Sequence, residues 1–342
     1  MMRICITGVT GFIGSHFSER LHREGHEVVG IDLCAPSPGA PLSRFIHGDI
    51  RDPVAVRMAL EGCDMVLSLA AAHHDFGISE ATYFAVNEGA SQVIVDEMDR
   101  QGITRVCWYS SCAVYGDSAV PRDEAVAPRP TSPYGASKLA GENVFREWSA
   151  RGGGRSALVI RPTITFGPGN VANMYSLIRQ IASGRFFIAG NPTNCKSLSY
   201  VENLVAATMH LWPLQKQGFD VFNFVEKPDL TSLEIAQTIA VALGKARPGP
   251  QLPLWLVLLM AKPFDLMTAL TGKDLGVNSM RVRKLFVWET KFEAAKMKQA
   301  GFESPVPVRE GLRRMVEWWR VAGGAQKPVW RQPPAAIQPL KS

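Results

Sequence analysis

The sequence predicts an α/β protein built on a doubly wound parallel sheet, with a smaller, mostly helical C-terminal lobe. Three observations carry that expectation. Short, nearly continuous apolar runs alternate with helical patterns as far as Arg161, as strands buried on both faces of a parallel sheet require. The first run breaks into glycines and then continues as a helical pattern. The second run ends on a carboxylate, Asp32.

Taken in order, Arg3 to Thr7 is the first strand, followed by a turn holding Gly8, Gly11 and Gly14, with Thr10, Phe12 and Ile13 among them. A strand entering a glycine-rich turn and a helix start is a site for a diphosphate. Glycine permits close backbone approach, and the first N–H groups of the helix face negative charge. The glycine spacing is wider than G-x-G-x-x-G, and a glycine triplet alone is weak evidence. Its place after the first strand, with an acid at the right distance, strengthens it. Residues 12–24 form the first helix and 26–31 the second strand. A carboxylate at Asp32 accepts hydrogen bonds from adenosine ribose hydroxyls and repels a 2′-phosphate. Leu33 rather than arginine follows, so NAD is expected over NADP.

Residues 44–47 make a third strand, and Pro53 opens a helix over 53–60. Residues 65–70 are the fourth strand, 82–101 one long helix carrying Asn87, 105–110 the fifth strand and 156–161 the sixth. Past residue 167 helices dominate, at 172–183, 202–212, 232–243, 292–300 and 307–320. A Thr231…Glu234 capping box opens the third of these. The expected division is a cofactor domain over 1–167, to which some later segments return, a substrate lobe over 168–322 and a disordered tail over 323–342. The segment from Leu252 to Leu270 is strongly apolar, but its uninterrupted run is far below the roughly 20 residues a bilayer takes. No membrane span is expected. A core or subunit-interface helix is the first reading, and weak association with a membrane surface the second.

At 342 residues and 46% hydrophobic, the chain can bury a full core. Its net charge of +6 is scattered apart from Arg281, Arg283 and Lys284 and the run from Arg309 to Arg314, so no nucleic-acid arm is indicated. A mild basic surplus suits anionic, phosphate-bearing small molecules. Six cysteines without metal spacing suggest a reduced, cytoplasmic protein, and strand one begins too early to leave room for a signal peptide. Adjacent side chains rarely face one ion, so His73-His74-Asp75 is read as cleft lining and no metal is expected.

The chemical centre is Ser132-Pro133-Tyr134-Gly135-Ala136-Ser137-Lys138. Ser132 can cap a helix and Pro133 can start it, so Tyr134 and Lys138, four apart, share one face. A free tyrosine, with a pKa near 10, is a poor base; a nearby ammonium favours the phenolate. Such a pair alone usually marks a solvated face. Here Ser110-Ser111-Cys112-Ala113-Val114-Tyr115-Gly116 follows the fifth strand and offers a hydroxyl to the oxygen that Tyr134 deprotonates.

These motifs, with Asp32, Gly48-Asp49-Ile50, Leu69-Ala70-Ala71 and Ile160-Arg161-Pro162…Gly167-Pro168-Gly169, resemble the extended short-chain dehydrogenase/reductases of the NAD-dependent epimerase/dehydratase family. The resemblance covers residues 2–320 and implies a Rossmann-type sheet, bound NAD and a nucleotide-sugar substrate. It also implies epimerisation by hydride transfer at sugar C4 through a 4-keto intermediate. By position it assigns Ser111, Tyr134 and Lys138 to catalysis. To the cofactor it assigns the glycine turn with Thr10, Phe12 and Ile13, then Asp32, Asp49, Ile50, Leu69, Ala70, Ala71, Asn87, Pro162 and Thr163, besides Tyr134 and Lys138. To the substrate it assigns Ser111, Cys112, Asn173 and Arg281, with Lys196 in a related role. Asn173 otherwise reads as an N-cap, and Arg281 as part of a solvated basic turn. Dehydratases of the family carry Asp-Glu where this chain has Cys112-Ala113, which argues against elimination chemistry. A 4-ketoreductase, a 3β-hydroxysteroid-type dehydrogenase and a non-catalytic cofactor sensor remain as alternatives. A homodimer joined through helices 82–101 and 134–151 is the family expectation.

Overall fold

In the computed structural model, which describes residues 1–73, 78–117, 120–271 and 279–325, β1 (Arg3–Thr7) lies inside a seven-stranded parallel sheet. It is flanked by β2 (Glu27–Asp32) and β4 (Met65–Ser68). β3 (Arg44–His47) forms one edge, and β5 (Arg105–Tyr109) and β6 (Ser156–Pro162) extend the other side. Thr7 is in register with Ile31 and Ser68, Ser68 with Trp108, and Tyr109 with Ile160. The glycine turn, Asp32, the Leu69–Ala71 turn and the Ser110–Ser111 turn therefore leave the sheet side by side. That alignment at the carboxyl ends makes a site.

Four short strands follow: β7 (Ile164–Phe166), β8 (Ile188–Ala189), β9 (Cys195–Lys196) and β10 (Leu198–Tyr200). Then comes β11 (Gly218–Phe224), the seventh strand of the main sheet, paired with β6 along its whole length. The sequence reading found six strands and missed this one. Its apolar residues are broken by Asp220 and Asn223, and pairing with a distant strand decides its state. Two further short strands are β12 (Leu230–Thr231) and β13 (Gln251–Leu252).

The expected helix over 82–101 is three pieces: α3 (Glu80–Phe84), a π turn over Ala85–Gly89 and α4 (Ala90–Gln101). On one face of the sheet, α2 (Pro53–Leu60), α4 and α5 (Pro133–Ala150) bury Val56, Ile94, Phe145 and Trp148 against Cys5 and Val66. On the other, α1 (Phe12–Arg23) and α7 (Val201–Leu211) pack Phe17, Leu21, Leu204 and Leu211 on Ile4 and Ile6. Both α7 and β11 thus return to the sheet from beyond residue 167.

The remaining lobe is built from α6 (Asn173–Ala182), α8 (Ser232–Ala242), α9 (Leu254–Thr271), α10 (Ser279–Phe286) and α12 (Val308–Trp318). Its core gathers Tyr175, Ile178, Ile235, Ile239, Leu312 and Met315. The Thr231–Glu234 capping box forms as expected. The helix expected over 292–300 shortens to α11 (Ala295–Gln299), because Phe292 bridges to Arg122 in extended backbone. The segment 252–270 is a core helix only along its inner stripe, where Val257 and Ala261 are buried. Residues 326–342, most of the expected tail, lie outside the described residues, as do His74 and Asp75.

Candidate active site

Gly8 adopts φ +72°, and a Cβ there would stand 2.8 Å from the Ala70 nitrogen. The turn after β1 and the turn after β4 touch only because that Cβ is missing. A Cβ on Gly14 would meet the Gly8 carbonyl oxygen at 2.3 Å, so α1 begins directly on the turn. Gly11 is the N-cap of α1, with no side chain capping the helix and no acid in its first turn. That helix start offers its N–H groups to an anion. Thr7 Oγ1 accepts from the Leu69 nitrogen at 3.1 Å and the Ala70 nitrogen at 3.2 Å, which ties the two turns together.

The Asp32 carboxylate is oriented at the edge of this cradle. The Thr10 nitrogen donates to one oxygen at 3.0 Å and the Cys34 nitrogen to the other at 3.1 Å. A backbone cradle for a diphosphate, beside a fixed carboxylate for a ribose diol, fits a dinucleotide without a 2′-phosphate. Asp49 is held by Arg51, whose Nε lies 2.9 Å from both carboxylate oxygens, while Ile50 is buried beneath the β3–α2 turn.

Ser132 caps α5, its Oγ accepting from the Gly135 nitrogen at 3.1 Å, and Pro133 is the first helical residue. Tyr134, half-buried in the first turn, packs near Tyr83 with ring centroids 6.1 Å apart. Lys138 is only 2% exposed, and its Nζ sits 4.0 Å from the centroid of the Trp108 ring on β5. Burial lowers its ammonium to about 7, against the opposing pull of the Glu142 carboxylate. Tyr134, Lys138 and Glu142 follow at four-residue steps along one face of α5.

Ser111 caps the short helical turn Cys112–Tyr115, with its Oγ accepting from the Ala113 nitrogen at 3.1 Å. It is half-buried, whereas Ser110 is buried. Of the two serines expected at this turn, Ser111 is therefore the more accessible. Cys112, expected to contact substrate, turns its side chain inward. Its side chain is buried, its thiol donates to the Arg161 carbonyl at 3.2 Å, and burial pushes that thiol well above the usual range.

Asn87 also turns inward. Its Nδ2 donates to the Ala72 carbonyl at 3.0 Å and to Ser137 Oγ at 2.9 Å, and its Oδ1 accepts from the Ala72 nitrogen at 3.0 Å. The buried amide clamps the turn after β4 to α5 and so positions the Ala70–Ala71 side of the cradle. Thr163, after Pro162 at the end of β6, bonds Ser199 Oγ through its nitrogen at 3.0 Å and its hydroxyl at 2.8 Å. Asn173 is the first residue of α6, exposed, and caps nothing, so its N-cap reading fails. Lys196 is buried and donates to the Lys284 and Trp288 carbonyls at 2.7 and 2.5 Å, closing the end of α10. The Arg281 side chain lies outside the described residues.

Sequence reasoning missed the network beneath the site. Arg161 donates to both Glu142 oxygens at 2.8 and 2.5 Å and to the Tyr115 hydroxyl at 2.7 Å; Tyr115 in turn donates to Asn223 Oδ1 at 2.9 Å. One signal was available: Glu142 continues the Tyr134–Lys138 stripe by one more turn.

The profile of the NAD dependent epimerase/dehydratase family matches residues 4–223. The chain is 34% identical to the N-acetyl-alpha-D-glucosaminyl-diphospho-ditrans,octacis-undecaprenol 4-epimerase of Escherichia coli O157:H7, over 92% of this chain and 94% of that protein. It is 27% identical to the UDP-glucose 4-epimerase of Vibrio cholerae, over 84% of this chain and 90% of that one. Among solved structures it is similar to MoeE5 in complex with UDP-glucuronic acid and NAD, with a TM-score of 0.74 and 26% identity. That match covers 93% of this chain and 99% of MoeE5.

Proposed function

Because the chain belongs to the NAD-dependent epimerase/dehydratase family, we propose that it is an NAD-dependent 4-epimerase of diphosphate-linked sugars, nucleotide sugars in the first instance. The observation that carries this reading is the convergence at one sheet edge of the Gly8–Gly14 cradle, Asp32, Ser111 and the Tyr134–Lys138 face of α5. NAD, when bound, supplies the two-electron oxidation at sugar C4 and its reversal. Gly8, Gly11, Gly14 and the first turn of α1, with Ala70 and Ala71 alongside, hold its diphosphate. Asp32 holds the adenosine ribose. The Tyr134 phenolic oxygen takes the proton of the sugar 4-hydroxyl, and the Ser111 hydroxyl binds the same oxygen. Lys138 tunes Tyr134: its ammonium favours the phenolate, and burial over Trp108 keeps that charge near balance around neutral pH. The 4-keto sugar then turns over in the cleft, and Tyr134 returns the proton as the new epimer forms. Asn173 and Arg281, in the helical lobe, are the proposed contacts of the substrate diphosphate.

A second sugar carrier, a lipid diphosphate, is favoured by the Escherichia coli relative, which is named for such a substrate and matches almost end to end. The reading also includes a homodimer joined through the α4 and α5 side and a cytoplasmic site of action, in keeping with six free cysteines. A monomer by light scattering removes the dimer. The function is tested by mass spectrometry of small molecules released on denaturing the purified protein. NAD near one per chain supports a self-contained cycle. NADP or an empty protein points to an exchangeable-cofactor reductase and overturns the role given to Asp32.

A further inference from the structure

Helix α9 is apolar on nearly every side, yet much of it is open. Val257 and Ala261 enter the core shared with Tyr175 and Phe286. Trp255, Leu259, Leu266 and Leu270 lie on the outer side, with Trp255 67%, Leu266 61% and Leu270 76% exposed. Helical spacing places these four with Lys262 on one stripe. A largely apolar helix that the core covers on one side only leaves an apolar outer face open to a second apolar environment. Among the described residues, ten of the twenty exposed large apolar side chains lie between Trp255 and Trp288.

Positive charge gathers in the same segment. Residues 245–288 hold seven lysines and arginines against two aspartates, a surplus of five in a chain whose net charge is +6. Lys262 on α9, and Arg283 and Lys284 on the adjoining α10, are exposed, and none pairs with a carboxylate among the described residues. The other basic run is different: Arg309, Arg313 and Arg314 pair with Glu234, Glu310 and Glu202.

An exposed apolar stripe that carries Lys262, with Arg283 and Lys284 exposed on the adjoining helix, suits the headgroup layer of a bilayer carrying anionic lipid. A second copy of the chain suits it less, because a two-fold contact centred on the stripe would bring the two Lys262 ammonium groups together. We propose that α9 lies flat on an anionic membrane surface, with Trp255, Leu259, Leu266 and Leu270 among the upper acyl chains and Lys262, Arg283 and Lys284 at the headgroups. This is peripheral docking; among the described residues no helix is long and apolar enough to cross a membrane. It goes beyond the epimerase reading and does not depend on it.

The test is co-sedimentation of the full chain with vesicles of phosphatidylcholine alone, or of phosphatidylcholine mixed with phosphatidylglycerol. Binding is expected to the anionic vesicles, and Trp255→Ser with Leu266→Ser should weaken it by about tenfold or more. Lys262→Glu alone, a surface change that leaves folding intact, should weaken it about fivefold. No binding, binding indifferent to anionic lipid or to both variants, or a dimer that the double substitution dissociates in sedimentation velocity each overturns the proposal. Inactivity on every sugar would leave the vesicle result standing, so the two readings fail separately.

Discussion

Two cations are buried beside helix α5, and the chain treats them in opposite ways. Arg161 is met on all sides, by both oxygens of Glu142 and by the Tyr115 hydroxyl. Lys138, one turn before Glu142, has the Trp108 ring beneath its ammonium and the charge of Glu142 in its favour. Full pairing makes Arg161 a fixed strut between β6 and α5. Partial compensation leaves Lys138 close to its titration point, which suits the role proposed for it, tuning a neighbour rather than holding a frame. Glu142 is common to both, so the strut and the proposed chemistry are coupled through one carboxylate.

The largest effect expected is on the chemical side. Lys138→Met should lower turnover by roughly 10²–10⁴-fold, measured by steady-state kinetics, while the fold and the Arg161 network persist. Glu142→Gln attacks the other side of the contrast. It leaves the buried Arg161 guanidinium uncompensated, at a cost of about 3–5 kcal/mol in unfolding free energy by denaturant titration. It also removes the charge that props up the Lys138 ammonium, so the alkaline limb of the turnover–pH profile should move down. Asn87→Ala strips three buried hydrogen bonds from the turn after β4 and should destabilise by about 2 kcal/mol. Weaker NAD retention is expected with it, since the Ala70–Ala71 turn loses its clamp.

The smallest effect is a slope. Lys138 has a folded pKa of about 7, below its unfolded value, so between those two values the unfolded chain binds more protons at this site. Its contribution to stability therefore rises with pH through that window, by at most about 1.4 kcal/mol per unit. The difference in melting temperature between Lys138→Met and the parent should change steadily from pH 7 to about 10. A difference that stays flat would mean that Lys138 is not held near neutrality by burial.

What could be read from the sequence follows the range of the interaction. The glycine turn, Asp32, the Ser132 cap with Pro133, and the Thr231–Glu234 box each depend on residues a few positions apart, and each stands where expected. β11 was missed because its partner β6 lies far upstream. The π turn holds Asn87 where it bonds Ala72 and Ser137, far away in sequence, and no local pattern announces it. Cys112 sits beside Ser111 in sequence, but its side chain is buried against the Arg161 carbonyl. The apolar run at 252–270 gave the helix but not which side of it is covered. Alternation of strands and helices was enough for the architecture; side-chain direction at the site needed tertiary contacts.

The central claim is that Tyr134 moves the proton of a sugar 4-hydroxyl in a cycle that returns its electrons. Nuclear magnetic resonance of a panel of UDP-sugars and a short polyprenyl-diphosphate sugar, with purified protein and no added cofactor, tests it most directly. At least one sugar should convert to its C4 epimer without net formation of NADH, and Tyr134→Phe should abolish the conversion while remaining folded. Oxidised product accumulating together with NADH, or a Tyr134→Phe variant as active as the parent, would contradict the claim.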